Sequence, residues 1–300
     1  MGSLNQVSKS RFHGLWALTN RELKKWYKAP FLLLMAIIQP VIWIGLFGKA
    51  MNIQAIFSSS PTSLPPPPDI PPQYLPALQE WIANISNQMF QGAFGTSDYF
   101  SFMAIGMLSF VIMFATMFSG MSIVWDRRLG FLNKVLSTPV ARASIVLSKV
   151  LSTVIRALIQ ASIVLIVAYL LGLQFGADFR LWNLFGVFAA LFLMSIGFSS
   201  LFIMIAIRST RWETHMAVMN LLNLPLLFTS NSLFPTSYMP DWLQTVTKIN
   251  PITYTTDAVR QLTLFATDMQ QLTLDFTFLG IFAAVFTTIG ILLSWKYLSR

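Results

Sequence analysis

The sequence predicts an all-α protein that crosses a membrane six times, with both chain ends on the cytoplasmic side. Three observations carry that prediction. Of the 300 residues, 55% are apolar and only 10% are charged, against about 25% charged in soluble domains. Six runs match the roughly 20 apolar residues that a bilayer-crossing helix needs: about 31–50, 100–124, 144–171, 183–207, 214–231 and 276–295. The charges then sort by side. With cytoplasmic ends, the inner segments hold 15 of the 20 basic residues, and the outer segments hold 8 of the 11 acidic ones. That is the positive-inside pattern, and it explains the net charge of +9 without a nucleic-acid partner.

The first 30 residues form a cytoplasmic segment ahead of a membrane domain over 31–300. No early apolar core with a small-residue cleavage site is present, so no cleaved leader is expected. Residues 11–28 have helical periodicity. Phe12, Leu15, Trp16, Thr19, Leu23, Trp26 and Tyr27 share one side, and Arg21, Lys24, Lys25 and Lys28 share the other. Aromatic groups opposite a lysine face suit a helix lying in the inner headgroup layer. Pro30 ends it and starts the first span.

An outer loop over 51–99 follows. Residues 61–76 contain eight prolines, which favours an extended polyproline spacer. Residues 74–92 place Tyr74, Leu78, Trp81, Ile82, Ile85 and Met89 on one helical side, as an outer interfacial helix. Asn84-Ile85-Ser86 is a glycosylation sequon on that side.

The second span carries Met103, Met107, Phe110, Phe114, Met117, Phe118 and Met121 on one strip. Methionine and aromatic rings adapt to varied apolar shapes, so a hydrophobic compound could lie along them. Ordinary helix packing is the plainer use of the same strip. Arg156 lies one or two turns inside the third span, where its side chain can snorkel back to the interface. In the fifth span Asn220 and Asn223 lie about a turn apart near Pro225. Amides in lipid need partners, and bonding across to another helix is the first expectation for both.

The inner loop over 125–143 reads WDRRLGFLNKVLSTPVARA. Asp126 can N-cap a short helix, Leu129, Leu132 and Leu136 give it one apolar edge, and Pro139 stops it. After the fifth span the chain is neither apolar nor strongly charged. Residues 229–262 read TSNSLFPTSYMPDWLQTVTKINPITYTTDAVRQL. Asn231 and Pro235 break the preceding helix, and Pro240 precedes a short amphipathic piece. Asn250-Pro251 starts another that carries Tyr254, Asp257 and Arg260, the last two placed to pair at i, i+3. Irregular backbone at membrane depth persists only when buried in protein or facing water. Residues 231–264 therefore read as a re-entrant plug at the outer end of a path.

Several functions are disfavoured. With no cysteine and only His13 and His215, a zinc centre or a Ser-His-Asp site lacks its parts. No GxxxxGK[ST] occurs; Gly48-Lys49 is followed by Ala50, so the chain has no P-loop to cradle ATP phosphates. The spans lack the carboxylate or histidine relay of an ion-gradient carrier, and no catalytic polar cluster marks a membrane enzyme.

Two segments resemble the ABC-2 type export permeases, the drug-efflux (daunorubicin-resistance-permease-like) branch in particular. The outer one matches the pattern NSLFP…MPDWLQ…NPITYT.DAVR. The inner one matches at Asp126, Arg128, Gly130, Lys134, Pro139, Val140, Arg142 and Lys149. It departs in holding Arg127-Arg128 where many members carry a glutamate. The resemblance implies a permease subunit that is not itself an enzyme, paired with a second permease copy or homologue in the lipid bilayer of a cell. A separate ABC ATPase subunit would bind ATP and Mg²⁺, with no cofactor on this chain. It implies that residues 11–28 and the coupling positions Asp126, Arg127, Arg128, Gly130, Leu132, Lys134, Leu136, Pro139 and Arg142 meet that ATPase. It places a cargo path along Met103, Met107, Phe110, Phe114, Met117, Asn220 and Asn223. The outer gate falls to Asn231, Pro235, Pro240, Asn250, Pro251, Tyr254, Asp257 and Arg260. The implied cargo is a hydrophobic or amphiphilic compound; lipid-linked glycan, lipid or sodium export shares the architecture.

Overall fold

The computed structural model describes residues 14–50, 71–96, 98–209 and 211–297, and these are helical with no strand among them. Phe12, His13 and most of the proline run lie outside the described residues.

Helix α1 (Leu15–Tyr27) is the expected amphipathic helix, shorter at its start. Gly14 ahead of it has φ 86°, a left-handed backbone that glycine adopts without strain. Its missing side chain also leaves room for Val140 of the inner loop, whose methyl would lie 2.9 Å from an added Cβ. The predicted apolar side holds only in part. Trp16 and Tyr27 are exposed, whereas Thr19 and Glu22 are the buried residues of α1.

Pro30 occupies the first turn of α2 (Pro30–Trp43), where its absent N–H costs nothing. A π-helical stretch, Ile44–Ala50, continues it. Beyond residues 51–70, α3 (Leu75–Phe94) is helical over the stretch where the sequence predicts an interfacial helix. It buries Phe90 and Phe94 at its far end and leaves Tyr74, Trp81 and Met89 exposed. Asp98 then caps α4 (Tyr99–Met117), accepting the N–H groups of Phe100 and Ser101 at 3.1 and 3.0 Å.

Helix α4 is the axis of the molecule. Every residue from Tyr99 to Met113 is buried, packed mainly against α7 (Arg142–Leu170), α8 (Asn183–Arg208) and α11 (Pro251–Thr263). Between them lie α5 (Ser119–Arg128) and the six-residue α6 (Phe131–Leu136). Helix α9 (Trp212–Phe228) follows α8, α10 (Asp241–Thr247) precedes α11, and α12 (Met269–Tyr297) closes the chain.

Among the described residues, four helical stretches are long and apolar enough to cross a bilayer: Leu75–Arg128, Arg142–Leu170, Asn183–Arg208 and Met269–Tyr297. The predicted first and fifth spans are shorter as α-helices, 14 residues in α2 and 17 in α9. Each contains an internal proline, Pro40 or Pro225, which removes a backbone donor and crowds the preceding turn.

Candidate functional site

The inner loop folds differently from its sequence reading. Asp126 does not cap a helix start; it lies inside α5. Gly130, with φ 71°, makes the turn into α6. Leu129 is 72% exposed, so the apolar edge is not the expected Leu129, Leu132 and Leu136. Leu132 and Val135 are buried with Ile145, and Leu18, Phe131, Leu136 and Val140 pack around them. Lys134, Pro139 and Arg142 are exposed.

Buried charge organises this end of the molecule. The Asp126 carboxylate accepts from Arg21 Nη2 at 3.2 Å, from Lys25 Nζ at 3.1 Å, and from Lys149 Nζ. Glu22 accepts from Arg21 at 2.8 Å, Lys149 at 3.0 Å and Lys25 at 3.2 Å, and the Ser122 hydroxyl donates to it at 3.3 Å. Lys149 also donates to Ser122 Oγ at 2.6 Å. The Arg21 guanidinium lies 3.3 Å from the centre of the Phe131 ring, a cation–π contact. One cluster thus ties α1, α5, α6 and α7 together. Burial pushes the Glu22 carboxyl up, but Lys149 and Lys25 together outweigh it and hold it below the usual carboxylate range.

Asp126 and Lys149, both matched to the resemblance, meet here. Arg21, Glu22 and Ser122 were missed. The available signal was an acid among four basic residues on a lysine-rich helix, one turn from Thr19. Arg127 faces elsewhere: it donates to the carbonyls of Ile207 at 2.8 Å and Ser209 at 3.0 Å, capping the end of α8. Arg128 is exposed, 6.0 Å from the Trp125 ring.

The methionine–phenylalanine strip does not line one open face. Met103, Met107, Phe110 and Met117 are buried in the core. Met121 falls on α5, beyond the break at Phe118. Phe110, Phe114 and Phe118 do border a cavity of about 340 Å³, lined also by residues of α1, α2 and α7 and open on one side. The two asparagines do not bond across to another helix. Asn220 is exposed, Asn223 Oδ1 is buried without a partner, and neither side chain makes a hydrogen bond among the described residues.

The segment 231–264 is the most densely bonded part of the chain. Asn250 caps the start of α11 by accepting the Ile252 N–H at 3.0 Å. Its amide nitrogen donates to Leu226 O at 2.7 Å and Thr229 O at 3.1 Å, satisfying carbonyls at the end of α9. Pro251 occupies the first turn of α11. Pro235 and Pro240 flank the 3₁₀ turn Thr236–Tyr238. Tyr254 donates to Lys248 O at 2.6 Å and stacks on Phe278 with ring centres 3.9 Å apart.

The expected Asp257–Arg260 ion pair does not form. Asp257 instead accepts from the Asn231 amide. Arg260 reaches into α4, donating to Phe102 O at 3.0 Å, Asn231 O at 2.7 Å and Ser232 O at 2.8 Å. Its guanidinium lies 3.4 Å from the Phe102 ring centre. Carbonyls left by the broken backbone outcompete a neighbouring carboxylate, because a buried unmatched acceptor is costly. Thr256 adds a second link to α4, donating to Ser109 Oγ at 2.9 Å.

Comparison with known proteins agrees with this architecture. The chain is similar to a transport permease, ycf38, of Cyanophora paradoxa: 29% identical over 293 residues, covering 95% of this chain and 88% of that protein. It is 27% identical over 257 residues to the ycf38 transport permease of Pyropia yezoensis, covering 85% and 75%. It is also 24% identical over 176 residues to the daunorubicin resistance ABC transporter permease protein DrrB1 of Streptomyces coeruleorubidus, covering 58% and 62%. The description of the ABC-2 type transporter matches residues 13–264, most of the chain, so this protein belongs to the ABC-2 type transporter family.

Proposed function

We propose that this chain is the membrane-spanning subunit of an ATP-driven exporter of hydrophobic or amphiphilic compounds. In this reading it crosses the cell membrane six times, with α1 and the inner loop on the cytoplasmic face. Helices α2 and α9, each with an internal proline, complete the set with the four longer stretches. A partner ABC ATPase, carrying ATP and Mg²⁺, docks on α6 and the exposed Lys134, Pro139 and Arg142. A second permease chain completes the complex, and residues 231–264 close the outer end.

The observation that carries the proposal is the buried charge cluster. A motor domain can move spans only through a rigid handle, and Glu22, Asp126 and Lys149 fasten the amphipathic helix and the inner loop to α7. The match to permeases named for drug resistance supports the cargo class. Inverted membrane vesicles from cells expressing the chain with its ATPase test it. ATP with Mg²⁺ should drive accumulation of a lipophilic fluorescent dye, and a P-loop ATPase should copurify. Transport that follows an imposed proton gradient and ignores ATP overturns the proposal.

A further inference from the structure

The cavity beside α4 is mostly apolar; its polar lining is Gln39 of α2, which is exposed, and two side chains on one face of α7. Arg156 and Gln160 are four residues apart, hence neighbours along the helix. Their side chains line the space bounded by Trp26, Met35, Phe110 and Phe114. The Gln160 side chain is almost wholly enclosed, at 6% exposure, yet its amide makes no hydrogen bond among the described residues. Arg156 donates from Nε to Ser152 O at 3.2 Å and from Nη2 to Thr153 Oγ1 at 3.0 Å. A guanidinium has five N–H groups, and no other acceptor among the described residues takes the rest. Arg156 forms no ion pair among the described residues either. The acid nearest in charge, Glu22, accepts from Arg21, Lys25 and Lys149 instead.

A cation with no ion pair and an amide with no hydrogen bond among the described residues, side by side in a mostly apolar cavity, are both costly unless a ligand completes them. The polar atoms fit an acid group: a guanidinium binds a carboxylate through parallel N–H donors, and an amide N–H adds a third. The aromatic walls fit the apolar body. At about 340 Å³, the space suits one drug-sized molecule and is too small for the two chains of a phospholipid. Exposed Met35 and Phe118 border its open side, where a molecule dissolved in lipid can enter.

We infer that this cavity binds an anionic amphiphile, a lipophilic carboxylate with one compact apolar body, with Arg156 and Gln160 holding the acid group. The exporter reading above makes that ligand a candidate cargo; the binding itself requires this chain alone.

The test uses the purified chain in phosphatidylcholine nanodiscs, without ATPase, and a diazirine-bearing hexadecanoic acid beside its methyl ester. The acid should label the 110–118 and 142–170 segments with about tenfold higher affinity than the ester, the scale of one charge-assisted hydrogen bond. Arg156→Gln should abolish that preference and Arg156→Lys should keep most of it. Gln160→Leu should weaken it without removing the charge. Phe114→Trp, which fills the cavity and leaves the cation in place, should lower labelling by both probes. Equal labelling by acid and ester, or a preference that survives Arg156→Gln, overturns the inference. If Arg156→Gln does not fold, unchanged acid labelling in Phe114→Trp overturns it instead. Displacement of the probe by phosphatidylglycerol but not by excess hexadecanoate assigns the site to lipid headgroups and overturns the ligand class. Acid-selective binding with no ATP-driven transport sinks the exporter reading and leaves the site standing. Transport without acid-selective binding does the reverse.

Discussion

Single residues decide how closely residues 231–264 can approach α4. Gly106 on α4 faces the Ser232 carbonyl and the Arg260 guanidinium, which lies 2.7 Å from where a methyl would sit. That absence of a side chain is what lets Arg260 reach the Phe102, Asn231 and Ser232 carbonyls. Gly106→Ala should therefore destabilise the protein by about 1–3 kcal/mol, the usual cost of overpacking. Its effect should concentrate on residues 229–264, read as faster proteolysis there in detergent. An unchanged cleavage rate refutes the account. The sequence marked Arg260 as important but misplaced its partner. Helical spacing reports what a residue's own helix offers, and the competing carbonyls come from a distant turn and from α4. Gly106 was invisible for the same reason, since nothing local distinguishes a packing glycine inside an apolar helix.

Among the elements, α1 was legible as a helix and not as a docked one. Its aromatic and lysine faces predicted a helix lying in the inner headgroup layer. Glu22 also anchors it through Lys149, 127 residues away, a relation no periodicity contains. Removing one member of a buried pair strands the other, at about 3–5 kcal/mol. Glu22→Ala should accordingly release α1, seen as faster amide exchange over 15–27. Lys149→Met added to it should cost much less than Lys149→Met alone. Additive effects refute the coupling. The acid dependence follows from the lowered Glu22 carboxyl. A depressed folded value means the unfolded chain binds the proton more tightly. The stabilisation is complete above the unfolded value of about 4.3 and fades as pH falls through the folded one. Exchange over α1 should quicken below about pH 4, and Glu22→Gln should make that dependence shallower.

For the whole molecule, composition was enough to fix lipid as the solvent and helices as the form, and the four long stretches bear that out. The six-span count rests also on α2 and α9, whose α-helical lengths are 14 and 17 residues, each with an internal proline. Reporter tags decide it. One placed after Ala50 and one at Arg300 should report opposite compartments, and finding both on the same side refutes an even count with cytoplasmic ends. Helix α4 is mostly apolar yet enclosed from Tyr99 to Met113. During synthesis such a segment has to partition into lipid on its own hydrophobicity, before the later helices exist to surround it. It therefore meets two environments in succession, first acyl chains and then protein. A uniform leucine version would satisfy the first and fail the second, entering the bilayer as readily but leaving α7, α8 and α11 with nothing shaped to close upon.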